Sequence, residues 1–128
     1  MSLKKSKDID ELCYPFIYEP GYLCDFEVLS DELCNHIGMM LATLDSDLTE
    51  AKRDLTRLQP LAYHLNGSIR GSLAISEQDL TWLKQRYHFY REQTCQRIDG
   101  FVLPQGCQSA MYCHLGRSSA KKVIRVMV

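Results

Sequence analysis

The sequence predicts an all-α protein, an antiparallel helical bundle. Three observations carry that reading. Apolar residues recur at three- and four-residue steps over long stretches. Helix start and stop signals separate those stretches. Strand-like alternation lasts no more than a few residues anywhere. Four helical stretches with short connections fold most simply as antiparallel neighbours. The 128 residues make one domain or part of one, 45% hydrophobic and 24% charged, an ordinary globular balance.

Residues 1–29 show no clean period and read as an irregular, extended N-terminal arm. Aromatic residues there mix with Pro15, Pro20 and Gly21. The helical bundle is assigned to residues 30–128. Ser30 reads as the N-cap of a helix over 30–44, with Asp31 and Glu32 at its positive end. Leu33, Ile37, Met40, Leu41 and Leu44 form its apolar face. Asp45-Ser46-Asp47 breaks the pattern and caps a second helix, 47–66. Its face is Leu48, Ala51, Leu55, Leu58, Ala62 and Leu65, with Asn66-Gly67 as the stop. Pro60 lies inside and is expected to kink or divide it.

A third helix is expected over 76–99. Ser76 with Asp79 three residues later resembles a capping box. Leu80, Leu83, Tyr87, Tyr90 or Arg91, Thr94 and Ile98 follow on one broad face. Gly100 ends the run, and Phe101-Val102-Leu103-Pro104-Gln105-Gly106 is a short apolar loop. The last helix, 108–127, contains Ala110, Cys113, Arg117, Ala120, Val123, Ile124 and Met127.

Fifteen Lys and Arg nearly balance sixteen Asp and Glu, for a net charge of −1. That excludes a generally basic coat, and no nucleic-acid partner is expected. No apolar run approaches the roughly 20 residues of a membrane span, and the start turns acidic instead of apolar. The expected location is the cytoplasm, with no membrane association. Six cysteines lack C-x-x-C spacing, and His36, His64, His88 and His114 are not at ligand spacing. Free thiols and no resident metal are expected. Arg117, Lys121 and Arg125 are four apart and share one helix face. Such a row is either a solvated basic face or an anion site for phosphates. Asp31 and Glu32 either cap a helix or supply a partner for Arg117 from another helix or subunit.

Two segments resemble the ATP:cob(I)alamin adenosyltransferases of the PduO type. Ser30-Asp31-Glu32-Leu33-Cys34-Asn35-His36-Ile37-Gly38 is similar to that family's helix opening, D-E-L-N followed by I-G. The stretch from Phe101 to Arg125, FVLPQGCQSAMYCHLGRSSAKKVIR, is similar to F-[IV]-L-P-G-G and the H-x-A-R-T-x-x-R-R-A-E-R run that follows it. The shared residues are Phe101, Leu103, Pro104, Gly106, Ala110, His114 and Arg117, then Arg125 at the last arginine. Lys121 and Lys122 stand at the arginine pair.

The resemblance implies a helical bundle that forms a homotrimer, with ATP and a corrinoid (cobalamin) as bound molecules and Mg2+ accompanying the nucleotide. It implies transfer of the 5′-deoxyadenosyl group of ATP to a cobalt(I) corrinoid. By resemblance, Phe101 covers the lower corrinoid face and His114 shapes the corrinoid side. Asp31 pairs with Arg117 across an interface. Lys121, Lys122 and Arg125 lie on ATP phosphates. Asp31, Arg117 and Lys121 form the catalytic set.

The chain also differs from the pattern. No glycine- and threonine-rich phosphate loop occurs in residues 1–29. Ile124 replaces a glutamate, Cys34 an asparagine and Cys107 the second glycine after Pro104. The family's last helix has no counterpart before Val128. Weak ATP binding is the expected consequence. A second expectation, from a different class, is a non-catalytic helical scaffold derived from that family, binding a corrinoid or only other subunits.

Overall fold

The computed structural model describes residues 4–128 and is helical throughout its regular structure. Its elements are α1 (Ile9–Leu12), α2 (Tyr22–Thr43), α3 (Thr49–Ser68), α4 (Glu77–Thr94) and α5 (Gln108–Met127). No strand occurs among the described residues. No helix among them is long and apolar enough to cross a membrane.

α2 is the spine. It packs along α3 on one side and α5 on the other, and both run antiparallel to it. Cys34 and Gln59 meet across the α2–α3 seam, with the Gln59 side-chain amide donating to the Cys34 carbonyl at 3.3 Å. Asn66, near the end of α3, reaches back to Glu27 and Ser30. The core between these helices centres on Cys34, Ile37 and Ala62, with Leu33, Leu55 and Leu58 packed against it.

The helix expected to begin at Ser30 begins at Tyr22. Ser30 is therefore not an N-cap. It is fully buried in mid-helix. Its hydroxyl donates to the Phe26 carbonyl at 2.7 Å and accepts from the Asn66 amide at 2.8 Å. A serine satisfied in this way is tolerated inside a helix. Asp31 and Glu32 consequently lie in the third turn and cap nothing. The residues before α2 are not simply extended either. α1 carries an Asp8 side-chain cap. The following turn is held by Arg70, which pairs with Glu27 and with Glu19 at 2.6 Å and stacks over the Phe16 ring.

Asp47 does not cap α3. Leu48 occupies that position, with no side-chain bond. α3 continues through Pro60 and past Asn66-Gly67 to Ser68. Pro60 is exposed and does not divide the helix. Asn66 does not stop the helix because its side chain is engaged by α2.

The Ser76–Asp79 capping box forms as expected: the Ser76 hydroxyl accepts from the Asp79 N–H, and the Asp79 carboxylate accepts from the Ser76 N–H. These bonds, with Arg57 nearby, hold the Asp79 carboxyl below its usual range. α4 then ends at Thr94, short of 99. Leu80, Leu83 and Tyr87 are 51%, 40% and 57% exposed, and Leu80 and Leu83 border a cleft walled by α2, α3 and α5. Asp79, Arg86 and Tyr90, on the adjoining side of the helix, bond to α3.

Candidate functional site

α5 builds most of the candidate site. Ser109, Gly116, Ser119 and Val123 are buried on its α2-facing side. That placement turns Arg117, Lys121 and Arg125 outward, where all three are exposed. Among the described residues none of them makes an ion pair. Eight residues separate the first from the last, so the row spans about 12 Å at 1.5 Å per residue. Lys122 lies beside Glu32 at 3.9 Å, with both side chains well exposed. A pair in that setting contributes ~1 kcal/mol or less, so a multiply charged anion can compete for Lys122.

Gly116 sets the spacing of the α2–α5 seam. A Cβ there would overlap the terminal methyl of Met40 and touch His36. This contact also fixes the helix register. Gly116 lies level with Met40 and His36, and Lys122 level with Glu32. Asp31 is then level with about residue 123, roughly six residues or 9 Å beyond Arg117. The structure does not bring Asp31 and Arg117 together within one chain. Both side chains stay exposed on adjacent helices.

The loop before α5 holds Phe101, which is fully exposed, as are Val102 and Leu103 at high fractions. Gly106 turns this loop into α5 with φ +144°, a conformation side-chain-bearing residues rarely adopt. A Cβ there would also come within 3.2 Å of Ala110. Phe101 thus sits off the N-terminal end of α5, and the cation row lies along its second half. His114 is half-buried on the intervening stretch.

Six cysteines are free thiols. Burial, then nearby Asp31, pushes the Cys34 thiol above its usual pKa. Cys107 is exposed and shifts the other way. The Ser109 hydroxyl at 3.3 Å and the Ala110 N–H at the helix start stabilise its thiolate.

Sequence reading missed one buried polar cluster. Asp54 is buried and receives the Arg86 guanidinium at 2.7 Å and the Tyr90 hydroxyl at 2.6 Å, both from α4. Bonding to Asp54 and Tyr90 holds Arg86 still more firmly protonated. The available signal was a carboxylate at core spacing, between Ala51 and Leu58 and adjoining Leu55.

Residues 28–128 match the sequence model of a family described as Cobalamin adenosyltransferase. No curated protein and no solved structure matches the chain.

Proposed function

We propose a reaction and a division of labour for this chain from one premise: it belongs to the cobalamin adenosyltransferase family. The family's chemistry is corrinoid adenosylation, with ATP and a corrinoid as substrates. The cobalt(I) lone pair attacks C5′ of ATP. The C5′–O bond breaks, its electron pair leaves with triphosphate, and cobalt becomes formally cobalt(III) bound to carbon. Cobalt(I) is itself the nucleophile, so the protein's tasks are positioning and control of the cobalt's ligands.

The observation that carries the assignment to residues is the arrangement along α5. One helix has an exposed aromatic loop at its start and three unpaired cations along one outer face. In this reading Phe101 supplies an apolar surface under the corrinoid and excludes an axial ligand. His114 borders that side. Lys121, Lys122 and Arg125 hold the phosphates, with Mg2+ on the nucleotide, as expected for PduO-type members.

Asp31 and Arg117 are proposed to pair between subunits of a homotrimer. The in-chain register supports this, because it separates them along the helix axes while leaving both exposed. Asp31→Arg should then reduce the trimer to monomer by light scattering, and adding Arg117→Asp should restore it. A stable trimer for Asp31→Arg alone would refute the pairing.

ATP binding is expected to be the weaker half of the site. Exposed point charges without a backbone cradle hold phosphates loosely, and salt screens them. Calorimetry should show corrinoid binding that survives physiological salt and an ATP affinity that falls steeply with salt. Micromolar ATP binding at physiological salt with no corrinoid binding would overturn this division. The scaffold alternative draws only on the absence of a glycine- and threonine-rich phosphate loop from residues 1–29.

A further inference from the structure

α4 differs from the other long helices in how it is held. It has no buried residue, and among the described helices only α2–α3 and α2–α5 pack closely backbone to backbone. Its attachments all lie on one edge, against α3. Arg86 and Tyr90 converge on buried Asp54. The Arg57 guanidinium stacks over the Trp82 ring at 4.3 Å and lies 3.6 Å from Asp79.

The adjoining edge of α4 faces a gap. Leu80 and Leu83 line a cavity of about 430 Å³ whose other walls include Leu33 and Ile37 of α2, Leu58 of α3, and Gly116 and Ala120 of α5. The walls are almost wholly apolar. Exposed leucines therefore stand across an apolar-walled cleft from Ala120, whose small side chain leaves room to seat them. Uncovered apolar surface of this kind favours closure. The one-edged polar tether permits closure as a rotation, with Asp54 kept paired.

We propose that α4 is a hinged flap. It pivots on the Asp54–Arg86–Tyr90 latch and closes over the cleft, seating Leu80 and Leu83 against Ala120. Residues 95–107 connect α4 directly to α5, so the movement displaces Phe101. The flap itself stands on geometry alone. Only the meaning of Phe101's displacement rests on the adenosylation reading.

Hydrogen exchange on the intact chain tests opening. Amides of α4 should exchange at least roughly tenfold faster than those of α2 and the middle of α5, because elements with few buried contacts open below the global unfolding free energy. Asp54→Asn should raise exchange in α4 further and leave α2 and α5 unchanged. Equal protection of α4 and α2 in the unaltered chain would overturn the flap, as would uniform loss of protection in Asp54→Asn. Closure is tested separately with Leu83→Cys combined with Ala120→Cys. Oxidation followed by peptide mapping should recover a disulfide between those positions within one chain, which needs Cα atoms about 5.5–6 Å apart. Failure to form that bond, with the variant folded by circular dichroism, would overturn closure.

Discussion

Phe101→Ala is expected to lower the adenosylation rate on the order of 100-fold, with no loss of stability. The two halves of that result have different sources. The ring is fully exposed in the chain and buries nothing against its own bundle. Truncating it should shift stability by less than about 0.5 kcal/mol, as for most surface changes. Its proposed work is on the substrate. A misplaced or poorly shielded reacting centre can cost about 10² in rate. Initial rates and a thermal melt on the same preparation check both halves. A rate within about threefold of the unaltered chain would remove Phe101 from the site. A large fall in melting temperature would mean that the loop packs against the protein instead.

Ile37→Ala should produce the largest single loss of stability, about 3 kcal/mol, inside the usual range of roughly 2–5 kcal/mol for such core truncations. Ile37 is 3% exposed in the second half of α2 and packs in the core with Cys34 and Ala62. It also borders the cleft beneath α4. The missing methyl groups therefore enlarge an existing void, and the surroundings have little to collapse with. Ile37→Val keeps most of the contacts and should cost only about 0.5–1.5 kcal/mol. Urea titration of the three proteins gives the comparison. A cost below about 1 kcal/mol for Ile37→Ala would place the main core elsewhere.

The parts of the fold that periodicity encodes were legible. The spacing of Leu33, Ile37 and Met40, and of Leu55, Leu58 and Ala62, marks the α2–α3 seam. The capping box at Ser76 and Asp79 is a local signal and forms locally. The start of α2 was not legible, because Ser30-Asp31-Glu32 has every mark of a helix start. What overrides that signal is a long-range bond from Asn66, which satisfies the Ser30 hydroxyl within the helix. The attachment of α4 was hidden for a similar reason. Leu80, Leu83 and Tyr87 mark an apolar face, but what ties the helix to α3 is buried Asp54, which holds Arg86 and Tyr90. Polar pairs between distant residues leave little trace in a hydrophobic period. In the candidate site, the cation row was legible from its four-residue spacing. Its relation to Asp31 was not, because the register of α2 against α5 is set by Gly116 over Met40.

The central claim is that this chain moves an adenosyl group onto a reduced corrinoid. Absorbance of cob(I)alamin mixed with the protein and saturating ATP at low salt tests it directly. The expected result is decay of the cobalt(I) spectrum, growth of the adenosylcobalamin spectrum, and release of triphosphate in equal amount. A cobalt(I) spectrum that persists under those conditions, with corrinoid bound, would contradict it and leave a corrinoid-holding scaffold.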